Sequence, residues 1–171
     1  RPPNTSVTRM PGSILVVDDE PLKRITLQIE LAENGYQVYE AADAQAARRI
    51  LDTCPIDVVV SDVRMPGLSG LDLLTHIKQT RPAVEVILMT AYATIDTAVL
   101  AIKRGAHDYI TKPFTTQELL AKLEPLMARR PAGGAGSPPD TCGRLVGRSP
   151  ALRGVFQRVR TLAPTNRPVL I

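Results

Sequence analysis

Short apolar, β-branched runs recur along the first 130 residues, at Ile14–Val17, Tyr36–Tyr39, Ile56–Val60, Val84–Met89 and Asp108–Ile110. Each has the length of a strand. The segments between them carry apolar residues at steps of three and four, the spacing of one helix face: Leu22, Ile25, Ile29 and Ala32; Ala44, Ala47 and Leu51; Leu74 and Ile77; Ile95, Ala98 and Ile102; Leu119, Leu123 and Leu126. Strands alternating with helices predict right-handed βαβ units and a parallel sheet covered on both faces, hence a doubly wound α/β domain over residues 13–130. Ile14-Leu-Val-Val17 and Val58-Val-Val60 are continuously apolar, as strands buried on both faces are. Tyr36-Gln-Val-Tyr39 alternates and suits a sheet edge.

The pattern stops at Pro131-Ala-Gly-Gly-Ala-Gly-Ser-Pro-Pro-Asp140, which has no apolar anchor and reads as a flexible linker over 131–143. A short periodic stretch resumes at 144–171. Ser149-Pro150 makes a good helix start, followed by Leu152, Val155, Phe156, Val159 and Leu162, then Pro168-Val-Leu-Ile171. Residues 1–12 are polar and read as an N-terminal extension, with Met10 as the expected natural start. Pro125, lacking an amide hydrogen, argues against a long helical linker after the last apolar stripe.

Composition narrows the class. The 171 residues, 44% hydrophobic and 22% charged, suit one ordinary globular core. No run approaches the roughly 18 apolar residues of a membrane helix, and there is no signal-peptide layout, so a cytoplasmic protein without membrane contact is expected. Cys54 and Cys142 lack ligand-like spacing and are expected to be reduced thiols. His76 and His107 have no second histidine at a ligand spacing and are expected to play supporting roles. The formal charge of +4 hints at nucleic acid until it is mapped: residues 1–12 carry +2, residues 131–171 carry +5, and residues 13–130 carry −3. The basic character belongs to the ends. With one aromatic residue and no lysine in 144–171, a DNA-binding arm has little support there, and any DNA contact is expected from other domains.

In an open α/β sheet, ligands bind beyond the carboxyl ends of the strands. The runs here end in Asp18-Asp19-Glu20, Ser61-Asp62, Thr90-Ala91 and Thr111-Lys112-Pro113. Carboxylates, a hydroxyl and an ammonium are therefore expected on one rim. Crowded carboxylates repel unless a hard cation sits among them, and oxygen donors of this kind suit Mg²⁺. Lys112 can pair with a carboxylate or a phosphoryl oxygen, and Thr90 can donate a hydrogen bond to the latter. Asp62 follows the middle run, ahead of the turn Val63-Arg-Met-Pro-Gly67, and a carboxylate there can attack phosphorus to form an acyl phosphate.

Four strings in order, Val17-Asp-Asp-Glu20, Ser61-Asp-Val-Arg-Met-Pro-Gly67, Met89-Thr-Ala91 and Tyr109-Ile-Thr-Lys-Pro-Phe114, resemble the receiver domains of two-component response regulators. The resemblance implies a flavodoxin-like sheet of order 2-1-3-4-5 and phosphorylation of Asp62 by a histidine kinase. It implies that Asp19 and Asp62 contact Mg²⁺ directly, that the backbone carbonyl of Arg64 is a third protein ligand, and that Asp18 acts through water. Thr90 and Lys112 would hold the phosphoryl group, Tyr109 would be the switch aromatic that follows Thr90, and Arg64 and Tyr92 would modulate acyl-phosphate lifetime. The face over residues 94–124 would report the change and could pair with a second copy. Self-phosphorylation and autodephosphorylation aside, the resemblance implies a switch and not an enzyme.

Residues 144–171 resemble the opening of the AAA+ domain of sigma-54-dependent activators of the nitrogen-regulatory class, cut before any phosphate-binding glycine loop, and are expected to be loosely held. Two rival readings remain. A phosphohydrolase with an aspartyl-phosphate intermediate would use the same groups, but its nucleophile typically sits in a D-x-D pattern after the first strand. A flavin-binding domain would need a Ser/Thr- and Gly-rich loop there.

Overall fold

The computed structural model describes residues 12–129. Apart from Gly12, the N-terminal extension, the linker and the 144–171 segment lie outside the described residues. The elements alternate without exception: β1 (Ser13–Val17), α1 (Pro21–Glu33), β2 (Gln37–Ala41), α2 (Ala44–Thr53), β3 (Val58–Asp62), α3 (Gly70–Thr80), β4 (Glu85–Thr90), α4 (Ile95–Lys103), β5 (Asp108–Thr111) and α5 (Thr116–Ala128). All four ladders are parallel and the sheet order is β2-β1-β3-β4-β5, the order expected, with the alternating β2 at an edge.

Successive residues of a strand point to opposite faces, and the two cores follow from that period of two. Ile14, Val16, Val58, Val60, Ile87 and Met89 pack with Leu27 and Leu31 of α1 and Leu119, Leu123 and Leu126 of α5. Leu15, Val17, Val59, Val86 and Leu88 pack with Ala44, Ala47 and Leu51 of α2, Leu73, Leu74 and Ile77 of α3, and Ala101 of α4. The helical stripes expected in α2, α3 and α5 are therefore the buried ones.

Two stripes are not. In α1 the buried side chains are Leu27, Gln28 and Leu31, while Leu22 is 77% exposed and Ile25 is exposed. In α4 only Ala101 is buried, and Ile95 is 84% exposed. Both helices carry apolar residues on two sides, so spacing alone did not say which side meets the sheet. The strand ends also differ by one or two residues. Asp62 and Thr90 are the last residues of their strands, not the first beyond them, because a parallel ladder is made of backbone groups and runs on past the apolar side chains. Asp62 still pairs with Met89, and Thr90 with Thr111.

Pro125 sits inside α5, and the helix continues to Ala128. Its missing amide leaves the Ala121 carbonyl without a helical partner, which exposed Ala121 can offer to water instead. Cys54, buried at the end of α2, is disulfide-bonded, which corrects the expected thiol. The chain's other cysteine is Cys142, outside the described residues.

The start of α3 fixes the end of β3. Ser69 and Asp72 form a reciprocal capping box, and a Cβ built on Gly70 would lie 2.1 Å from the Asp62 carbonyl oxygen and 3.0 Å from Val63 Cα. Only glycine lets the helix begin that close to Asp62. Gly70→Ala should therefore destabilise the domain by about 1–3 kcal/mol, as overpacking does. Urea denaturation measures this, and an unchanged midpoint would show that the helix start yields freely.

Candidate functional site

Strands β1 and β3 are neighbours in the sheet, and their last turns of pleat carry Asp18 and Asp62 to the same rim. Asp18 is fully buried and Asp62 is 9% exposed, while Asp19 is exposed. Lys112 arrives from the end of β5, 94 and 50 positions away in sequence. Its ammonium donates to Asp18 Oδ2 at 3.0 Å and to Asp62 Oδ2 at 2.9 Å. Both remaining carboxylate oxygens are engaged by backbone: Glu20 N–H donates to Asp18 Oδ1 at 2.9 Å, and Arg64 N–H to Asp62 Oδ1 at 3.1 Å. The Lys112–Pro113 peptide bond is cis.

Burial works against the charge on Lys112, but the hydrogen bonds to Asp62 and Asp18, and the negative charge of both, outweigh it. The result is a pKa above the ordinary lysine value. One ammonium shared by two buried carboxylates still leaves net negative charge, and exposed Asp19 adds to it. Each of Asp18, Asp19 and Asp62 brings one carboxylate oxygen within 4.8 Å of the others. This is a donor set of hard oxygens, three partly compensated charges open to solvent through Asp19, and it fits a hard divalent cation.

Thr90 is buried beside the cluster, and its Oγ1 accepts from Tyr92 N–H at 3.1 Å, leaving the hydroxyl hydrogen free to donate elsewhere. Tyr109 is half-buried against the α2–α3–α4 core. Together with Val63, Leu71, Leu88, Thr90, Thr97, Ala98 and Ala101 it lines a cavity of about 10 Å³ under α4. Thr90 and Tyr109 share that cavity because both point to the α4 side of the sheet. Arg64 and Tyr92 meet above the strands, the guanidinium carbon 4.6 Å from the ring centroid. All the residues expected at the rim are thus brought to the ends of β1, β3, β4 and β5.

One contribution had no signal in the strand-end pattern. Arg24, one turn into α1, donates from Nη1 to the Asp18 carbonyl at 2.7 Å and anchors the loop that holds the acids. Its position six residues after Asp18 is the only trace in the sequence. Ser61, adjacent to Asp62, turns away from the carboxylate and donates to the Asp62 carbonyl at 3.1 Å.

Comparison with known proteins shows which family the chain resembles. A family profile described as "Response regulator receiver domain" matches residues 14–124. The response regulator protein PilR of Pseudomonas aeruginosa is 36% identical over 157 residues, covering 92% of this chain and 35% of that protein. The DNA-binding transcriptional regulator NtrC of Escherichia coli is 36% identical over 174 residues, covering 94% and 35%. The chain spans about a third of the length of these curated relatives. Among solved structures, the receiver domain of NtrX from Brucella abortus is 35% identical with a TM-score of 0.65, covering 68% of this chain and 99% of that one. A receiver domain protein from Clostridium thermocellum is 37% identical with a TM-score of 0.66, covering 69% and 95%.

Removing the lysine tests the electrostatics directly. Lys112→Met leaves Asp18 and Asp62 without their cation and should cost about 3 kcal/mol at pH 7, the low end for breaking a buried pair. Because the folded pKa of Lys112 lies above its unfolded value, its contribution is complete below about 10.5 and is lost as the pH rises through the folded value. Chemical denaturation of wild type and variant should therefore differ at pH 7 and converge above the folded pKa. Equal stabilities at pH 7 would mean that solvent already neutralises the pair.

Proposed function

The chain belongs to the response regulator receiver family, and from that premise we propose that it is the phosphorylation-controlled switch of a cytoplasmic two-component system. In this reading Asp62 accepts a phosphoryl group from a histidine kinase, and an attached sigma-54-dependent transcription activator reads the result. The observation that supports it best is the Lys112 ammonium lying between two buried carboxylates at 2.9 and 3.0 Å. Such a cation can follow charge from a carboxylate to a phosphoryl oxygen without leaving the site.

Asp62 is the nucleophile. Its carboxylate oxygen bonds to phosphorus, the phosphorus–nitrogen bond of the donor phosphohistidine breaks with its electron pair going to nitrogen, and the imidazole leaves neutral because its other ring nitrogen carries a proton. Asp19 and Asp62 would hold Mg²⁺ directly, with the Arg64 backbone carbonyl beside them and Asp18 through water. Bound there, the ion would supply charge neutralisation on the transferred oxygens. Lys112 and Thr90 orient those oxygens, Lys112 as a point charge and Thr90 through its free hydroxyl hydrogen.

The added charge, about −1.5 to −2 if it resembles other phosphorylated side chains, then biases two pre-existing arrangements. Thr90 turns toward the phosphoryl group and vacates space on the α4 side, into which Tyr109 moves. The cavity of about 10 Å³ between them is too small for this until Thr90 shifts. The readout face is α4, β5 and α5, over residues 94–124. Ile95, Val99, Leu100 and Ile102 are exposed there, an apolar surface suited to a second copy of the chain. The AAA+ domain of the parent chain is the next partner along, and DNA contacts belong to further domains. No described helix is long and apolar enough to cross a membrane, and no membrane partner is proposed.

Incubation with Mg²⁺ and a small phosphodonor should yield one base-labile phosphoryl adduct per chain by mass spectrometry, absent from Asp62→Asn and lost when Mg²⁺ is chelated. Repeated turnover of unrelated phosphate monoesters would instead mark a phosphohydrolase. For the self-interaction, Ile95→Asp with Ile102→Asp should weaken association at least tenfold in sedimentation experiments on the more associated of the phosphorylated and unphosphorylated forms. Unchanged association would place the contact elsewhere.

A further inference from the structure

We propose that the groove between α2, α3 and the end of α4 binds a small phosphorylated metabolite, a phosphate monoester that also carries hydroxyl groups. The groove has a volume of about 500 Å³, opens to solvent, and is lined by Arg48, Asp72, Thr75, His76, Gln79 and Arg104. Small-molecule sites span about 300–1,000 Å³, so its size suits such a ligand. None of the rim residues lines it, and the inference does not rest on the reading of Asp62 as phosphoacceptor.

Helical spacing builds the groove. Asp72, Thr75, His76 and Gln79 stand at i, i+3, i+4 and i+7 of α3, a polar stripe beside the buried Leu73, Leu74 and Ile77. Arg48 comes from α2, next to buried Ala47, and Arg104 is the C-cap of α4. Arg48 Nε is buried and has no hydrogen-bond partner. Neither guanidinium forms an ion pair among the described residues. Asp72, the one acid in the lining, is held by the capping box instead: its Oδ2 accepts from Ser69 N–H at 3.1 Å and from Ser69 Oγ at 2.8 Å. Those hydrogen bonds lower its pKa, and the charges of Arg104 and Arg48 lower it further, so it stays ionised. The Thr75 hydroxyl donates to the Leu71 carbonyl at 3.0 Å and offers the groove only a lone pair.

Two guanidiniums against one carboxylate leave this groove at +1 with His76 neutral, within a stretch, residues 13–130, that carries −3. Cations left unpaired in an acidic domain select an anion. Guanidinium forks match pairs of oxygens on a phosphate, and a phosphate monoester brings about −1.5 to −2 charge at pH 7, enough for both arginines. A single carboxylate would leave one guanidinium unmatched. Arg48 Nε gains the acceptor it lacks, and the His76 ring N–H adds a further donor. The rest of the lining asks for the opposite chemistry: the second oxygen of Asp72 and the Thr75 lone pair accept, and Gln79 does both. Hydroxyl groups on the organic part satisfy them, whereas bare phosphate would set anion against anion at Asp72.

Nuclear magnetic resonance titration of the isotope-labelled chain, without Mg²⁺ and at low ionic strength, separates the sources of phosphate. Glucose 6-phosphate should shift the resonances of Asp72 to Gln79 and of the His76 ring, with a dissociation constant of about 1 mM or below. Inorganic phosphate should bind about tenfold more weakly, and glucose should cause no shift. Arg48→Gln and Arg104→Gln should each weaken glucose 6-phosphate binding about tenfold, the usual effect of losing one charge-assisted partner. Arg104 is exposed, so its variant keeps the test valid if Arg48→Gln unfolds. Absence of shifts along α3, equal binding of inorganic phosphate, or binding unaffected by Arg104→Gln would overturn the proposal. Tighter binding of a short polyglutamate peptide than of glucose 6-phosphate would overturn it in favour of an acidic protein segment. No readout requires phosphorylation of Asp62, so this site and the phosphoacceptor reading fail separately.

Discussion

The structure turns on keeping negative charge inside the end of an apolar sheet. Asp18 is fully buried and Asp62 nearly so, a few ångströms apart, and an isolated carboxylate in such a place would be too costly to keep ionised. What makes the arrangement possible is that every oxygen has a donor: Lys112 bridges the Oδ2 atoms, and the amides of Glu20 and Arg64 take the Oδ1 atoms. The amides come from turns, and the turns are fixed in place by Arg24 on one side and by the glycine contact of α3 on the other. Much of the upper rim of the fold is thus scaffolding for two acids.

The period of two along the strands explains why the site has two compartments. Asp18, Asp62 and Lys112 share the phase of Ile14, Val60 and Ile110, residues of the α1–α5 core, whereas Thr90 and Tyr109 share that of Leu88 in the other core. Charge is therefore gathered on one side of the sheet plane, and the small cavity lies on the other. Thr90, at the last rung of β4, is the residue that borders both. Below it, α4 buries only Ala101 against the sheet.

The sequence made the architecture legible for a physical reason: a parallel sheet buried on both faces demands continuous apolar runs, and the polar residues that end those runs must lie at the ligand-binding rim. Asp18, Asp19, Asp62, Thr90 and Lys112 could all be read that way. Orientation of the helices could not. Leu22 and Ile25 in α1, and Ile95 and Ile102 in α4, have core-like spacing but face outward, since the sheet selects the Leu27–Leu31 side of one and the Ala101 side of the other. Contacts made by backbone amides and by Arg24 were also invisible, because they depend on where turns bring groups together and not on residue type.

The net charge of +4 shows the same limit from another direction. Taken whole, it points to a polyanion; taken by segment, the domain that folds around the rim is acidic at −3. An acidic domain does not attract phosphorylated partners by its overall field, so recognition there must be local and short-ranged. Among the described residues Lys112 is the one cation paired inside the acidic cluster, and its side chain is 14% exposed. On the proposed reading of Asp62 as phosphoacceptor, a protein donor would reach it by fitting the rim, with exposed residues such as Leu22 and Ile25 offering contacts, and not by long-range attraction.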